Sequence, residues 1–123
     1  MPRLLALTCL LLLSAVVRAD GLFDAGRWAP IVLPADPEVD EWHAARTLAD
    51  WCERVTGVRP EVRNESRDPV PAPAIFVGQT AAAKAAGVVA PEAEGDTAHR
   101  VTIGRVVYLV GNNPAATRIA VGR

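Results

Sequence analysis

The chain has 123 residues, half of them hydrophobic in type, with 13 basic and 14 acidic side chains and a formal net charge of −1. That length fits one domain and leaves no room for a large enzyme. The balanced charge, with no basic run, argues against nucleic acid as a partner.

The N-terminus reads as a secretory signal peptide over residues 1–19. Met1 to Arg3 form a short positive start, Leu4 to Val17 an almost unbroken apolar run, and Val17-Arg18-Ala19 a compact cleavage site, with cleavage expected after Ala19. The apolar run is shorter than the roughly 20 residues that cross a bilayer core, and Asp20-Gly21 follows it, so no stable membrane anchor is expected after cleavage. Cys9 lies inside the apolar run behind Thr8, which argues against lipid attachment. The expected location is exported, in the periplasm or outside the cell. Loss of Arg3 and Arg18 leaves 11 basic against 14 acidic residues in the segment from Asp20, a net charge of −3. Cys52 is then the one remaining cysteine. No intramolecular disulfide can form, and its helical setting suggests a buried, small apolar residue.

Trp28 to Leu33 is an apolar, β-branched run that predicts a first strand, with Pro30 near its start. Asp36-Pro37-Glu38 is a helix-start signal, with Asp36 as the expected N-cap and Pro37 at the first helical position. Val39, Trp42, Ala45, Leu48, Ala49, Cys52 and Val55 recur at three- and four-residue steps and predict an amphipathic helix, which Thr56-Gly57 ends. Val58 to Arg63 predicts a second strand, and Asn64 to Pro73 a polar, proline-rich surface loop. Ala74 to Val77 predicts a strand ending at Gly78, and Thr80 to Ala86 a short helix stopped by Gly87. A loop at 95–98 leads to a predicted hairpin, Arg100–Ile103 and Val106–Val110 around Gly104-Arg105. Asn113-Pro114 opens a last predicted helix, running to Arg123, with Asn113 as its N-cap. That helix is too short to stand without packing.

Few side chains are spaced for chemistry. His43 and His99 are far apart and lack cysteine or carboxylate companions at metal-ligand spacing, so no metal site and no cofactor are expected. Val77-Gly78-Gln79-Thr80 before an alanine-rich stretch and Lys84 looks superficially like an anion-binding turn. It lacks the second glycine and the Gly-Lys-Ser/Thr ending of a phosphate loop, so a plain strand-to-helix turn is the better reading. Asp36, Asp40 and Glu41 could supply the two acids of glycoside hydrolysis, but acidic first turns of helices are common for dipole reasons. Ser66 has no glycine elbow or histidine near it, and Asn64-Glu65-Ser66 is a glycosylation sequon. Three tryptophans remain, Trp28, Trp42 and Trp51. Trp28 and Trp51 are candidates for contact with a glycan or a neighbouring domain, whereas Trp42, on the apolar helix face, is expected to pack.

The order of pieces resembles a known domain. Ile31 to Asp36 reads I-V-L-P-A-D, the helix ends at Thr56-Gly57, Ile75 to Thr80 reads I-F-V-G-Q-T, and Val107 to Pro114 reads V-Y-L-V-G-N-N-P. Over Ala29 to Arg123 the chain resembles the N-terminal accessory domain that precedes the catalytic barrel in bacterial α-glucuronidases and family 20 β-hexosaminidases (β-hexosaminidase-like domain 2), and in related domains of unknown function. The resemblance implies an α+β fold, a two-layer sandwich in which helices pack on a mixed sheet of about five strands. It implies a non-catalytic role, with acid and nucleophile in the barrel, so no catalytic residue is carried onto this chain. Pro114 to Thr117 stand where that family has an Arg-Gly stretch, and the expectation is a domain over 20–123 truncated at its C-terminus. Its partner would be the missing barrel of a glycoside hydrolase-like parent, with carbohydrate a further candidate ligand. The alternative is a free-standing exported module that binds a glycan or a protein. Catalysis by this chain alone is not expected.

Overall fold

The computed structural model describes residues 21–89, 95, 98–113, 116–117 and 121. The expected signal peptide, most of the last helix and part of the 95–98 loop lie outside these residues. The elements in chain order are β1 (Phe23–Asp24), β2 (Arg27–Trp28), β3 (Ile31–Leu33), α1 (Val39–Thr56), β4 (Val62–Asn64), β5 (Ala74–Val77), α2 (Ala81–Ala85), β6 (Ala98–Ile103) and β7 (Val106–Gly111). The fold is α+β: a mixed five-stranded sheet in the order β4-β3-β5-β7-β6, with a two-stranded sheet β1-β2 beside it. Strands β4, β3, β5 and β7 run parallel, and β6 is antiparallel to β7.

The two-residue period of a strand sorts the core into two faces. Ile31, Leu33, Ile75, Val77, Val107 and Leu109 cluster with Ala44, Ala45 and Ala49 of α1. The alternate residues Val32, Phe76, Tyr108 and Val110 cluster with Ala83 of α2 and with Val88, where Phe76 and Tyr108 stack at 5.4 Å between ring centroids. The long helix thus covers one face and the short α2 tucks under the other, so the sheet carries helical residues on both faces rather than on the single face of the expected two-layer sandwich. Both faces of β3 and β5 are buried, which is why their sequences are continuously apolar rather than alternating.

Several boundaries differ from the sequence expectation, each for a local reason. The run from Trp28 to Leu33 is not one strand: it breaks at Ala29-Pro30. Trp28 pairs with Phe23 across the β1-β2 hairpin, while Ile31 begins the main sheet. The hairpin turn, Ala25-Gly26, has φ of 51° and 74°, the double positive-φ turn that suits strand twist. Helix α1 starts at Val39 with Glu38, not Asp36, as its N-cap. The residue before a proline is biased towards extended backbone, and here Glu41 Oε1 accepts the Glu38 N–H at 3.0 Å. The helix end matches: Gly57 has φ 77° and its N–H reaches Glu53 O at 2.7 Å. The predicted strand at Val58–Arg63 is displaced to Val62–Asn64, because Thr56 Oγ1 accepts the Val58 N–H at 3.2 Å, and Pro60 has no N–H to give a ladder.

The remaining elements follow expectation closely. Thr80 caps α2, its Oγ1 accepting the Ala83 N–H at 3.1 Å. Gly104, φ 60°, turns the β6-β7 hairpin, whose pairing extends back to Ala98. Asn113 Oδ1 accepts the Ala116 N–H at 2.9 Å, an N-cap bond to the helical residues 116–117.

Candidate functional site

The carboxyl ends of β3, β5 and β7 form one rim of the sheet. In open α/β sheets a ligand crevice forms where successive connections leave in opposite directions, and here that point lies between β3 and β5: the chain leaves β3 for β4 on one side and β5 for β7 on the other. Two carboxylates of the chain occupy this place. Glu41, 5% exposed, accepts the Gln79 N–H at Oε2, 3.0 Å away, and the Glu38 N–H at Oε1. Glu65 accepts the Ala81 and Ala82 N–H groups at 2.7 and 3.0 Å. The Val77–Thr80 turn therefore has its free donors satisfied internally, in keeping with a plain strand-to-helix turn. Gly78, φ 95°, is required by the close approach: a Cβ there would fall onto Glu41 Oε2 and lie 2.8 Å from its Cδ. The rim is tied further by Gln79 Nε2, which donates to Gly111 O at 3.2 Å.

The remaining chemistry-bearing residues are dispersed. Asp36 is exposed, whereas Glu41 is turned into the rim, so these two acids serve different surroundings. His43 and His99 are exposed, and no group of three or more His, Cys, Asp or Glu suited to a metal occurs among the described residues. Cys52 is free and buried; loss of solvent around the thiol pushes its pKa up to about 12, which holds it in the unreactive protonated form.

The three tryptophans have different surroundings. Trp28 is half-buried, its Nε1–H donating to Thr56 Oγ1 at 2.8 Å, and Thr56 in turn donating to Cys52 O at 2.7 Å. Phe23 lies against it at 4.8 Å. This fastens the β1-β2 hairpin to the end of α1. Trp28 also lines an open cleft of about 350 Å³ with Arg27, Arg63 and Arg105. Trp51 is 49% exposed on α1; nine residues separate it from Trp42, placing the two on opposite flanks of the helix at roughly 100° per residue.

Trp42 is not packed as expected. It is 45% exposed and Val39 is 69% exposed, while Glu41, Ala44, Ala45, Ala49 and Cys52 form the buried stripe. The helix is rotated from its apolar reading, with Ala44, Ala45 and Ala49 packed on the sheet and Glu41 turned in to Gln79, and Trp42 lies over the edge strand β4. There Val39 and Trp42 face Pro60 and Val62 across a groove of about 390 Å³, with His43, Arg46 and Arg59 along it. Arg59 Nη1 is 2.6 Å from Asp50 Oδ1 and 3.7 Å from Glu53 Oε1, and this guanidinium holds the Asp50 carboxyl below its usual range.

Comparison of the chain with protein-family models, with curated proteins and with solved structures returns no match. The functional reading therefore rests on the chain's own residues.

Proposed function

We propose that this chain is the non-catalytic accessory domain of an exported, carbohydrate-active protein, ahead of a catalytic barrel that carries the chemistry. The observation that carries the reading is the position of the three resemblance motifs. I-V-L-P-A-D, I-F-V-G-Q-T and V-Y-L-V-G-N-N-P, far apart in sequence, run off the carboxyl ends of the adjacent parallel strands β3, β5 and β7. They form one continuous rim held by Glu41, Glu65 and Gln79. A rim whose polar groups are satisfied by the chain itself suits support rather than catalysis. The test is the coding sequence beyond Arg123: an open frame encoding an α/β barrel is expected, and a stop codon with no barrel-like continuation refutes the proposal.

The second reading, a free-standing glycan-binding module, is favoured by the Trp42 groove. An exposed indole face with guanidinium and imidazole donors beside it can stack a sugar ring and bond its hydroxyls. Calorimetric titration with uronic-acid and N-acetylhexosamine oligosaccharides tests it. Binding heat that disappears in Trp42→Ala supports the module, and no heat with the intact chain refutes it.

A further inference from the structure

We infer that the cleft beneath the β1-β2 hairpin is a binding site for a phosphate-type dianion, either free phosphate or a phosphate monoester. Its charge is assembled by the fold. Arg27 comes from β2, Arg63 from the edge strand β4 and Arg105 from the β6-β7 turn, and all three line one cavity together with Asp24 and Trp28. The lining side chains, three guanidinium groups and one carboxylate, sum to +2, and the Glu61 carboxylate 3.9 Å from Arg63 reduces this to +1, in a chain whose formal net charge is −1. The positive surplus favours an anion, and the number of guanidinium donors favours one with several oxygens.

The arginines are placed by backbone structure. Arg63 is fixed opposite Val32 in the sheet. Arg105 carries its carbonyl against the Ala74 N–H at 3.3 Å, and its side chain lies against Gly21, where a Cβ would stand 3.0 Å from Nε. Arg27 pairs across the hairpin with Asp24. Among the described residues Arg63 has one carboxylate beside it, Glu61 Oε2 at 3.9 Å, a distance that leaves its fork of donors without an ideal bidentate partner there. Guanidinium presents donors in a planar fork that matches the oxygens of a phosphate group and binds it more specifically than a point charge does. The cavity, about 350 Å³, has room for a small organic group esterified to the anion. Trp28 supplies an aromatic wall for it.

The test uses the full chain, titrated calorimetrically with inorganic phosphate, with glucose 6-phosphate and with glucose, at low ionic strength. Saturable binding of one or both phosphate compounds is expected, with none for glucose. Glucose 6-phosphate binding much tighter than inorganic phosphate identifies an ester as the ligand, and equal binding identifies the free ion. Arg63→Ala and Arg27→Ala, each shown to unfold at an unchanged urea midpoint, should weaken binding at least tenfold. Asp24→Asn should strengthen it. Absence of saturable binding by both phosphate compounds overturns the inference, as does undiminished binding in both arginine variants. None of these outcomes depends on whether the chain serves a carbohydrate-active protein.

Discussion

Removing the Glu41 carboxylate tests the central contact of the fold. Glu41→Ala abolishes the bonds to Glu38 N–H and Gln79 N–H. Charge-assisted hydrogen bonds contribute roughly 1.5–3 kcal/mol each, but the Glu38 amide lies near solvent and regains water, so a loss of about 2–3 kcal/mol is expected. That is a large share of the ~5–15 kcal/mol that holds a small domain folded. Gly78→Ala attacks the same contact from the other side. Its φ of 95° costs a residue with a side chain about 1–2 kcal/mol, and the new methyl must also displace Glu41. In a Glu41→Ala background the obstruction is gone and only the backbone cost remains. Urea unfolding of the two single variants and the double variant, read as shifts in midpoint at constant slope, should therefore give a double variant more stable than the sum of its parts by about 2 kcal/mol. Strict additivity, or a loss below about 0.5 kcal/mol in Glu41→Ala, would refute the contact as described.

Three further outcomes follow from individual residues. Because burial raises the Cys52 pKa from 9.0 to about 12, the folded state keeps a proton that the unfolded state releases. Stability should be unaffected by this group below pH 9 and fall progressively from pH 9 towards 12, a decline that Cys52→Ala should flatten in urea melts taken across that range. Ala25, a non-glycine residue at φ 51°, occupies a turn position that favours asparagine or glycine; Ala25→Gly should raise the thermal midpoint, with a gain of roughly 1 kcal/mol. Gly111→Ala should destabilise the chain by more than about 2 kcal/mol, since a Cβ there meets the backbone of Ala116 and Thr117; an unchanged urea midpoint would show that this helical turn is not packed on β7.

What was legible in the sequence was chemistry that acts locally. Gly57 and Gly104 mark their turns because their backbone angles favour glycine, Thr80 caps α2 through its own hydroxyl, and Ala74 to Val77 reads as a strand because it is apolar and bounded. The β1-β2 hairpin was illegible, since Ala25 is not a residue that announces a positive-φ turn. The rotation of α1 was hidden for a different reason. A carboxylate in a first helical turn ordinarily serves the helix dipole, and nothing near Glu41 in sequence indicates that it reaches to Gln79, 38 residues on. The Trp42 groove was lost with it. The arginine cleft has no sequence signal at all, because residues 27, 63 and 105 meet only once the sheet is built.

The position of β5 between β3 and β7 bears on how the chain assembles during synthesis. The pieces made first, the N-terminal hairpin and the β3–α1–β4 unit, are joined by near-neighbour pairing, but one side of β3 stays uncovered until Ile75 and Phe76 emerge to register with Ile31 and Val32. Strand β5 in turn waits for Val106 to Leu109. Long-range parallel pairings of this kind form slowly and leave strand edges open to wrong partners in the interval. A nascent chain stalled before residue 74 should thus be prone to association through β3, and one extended past residue 111 should not.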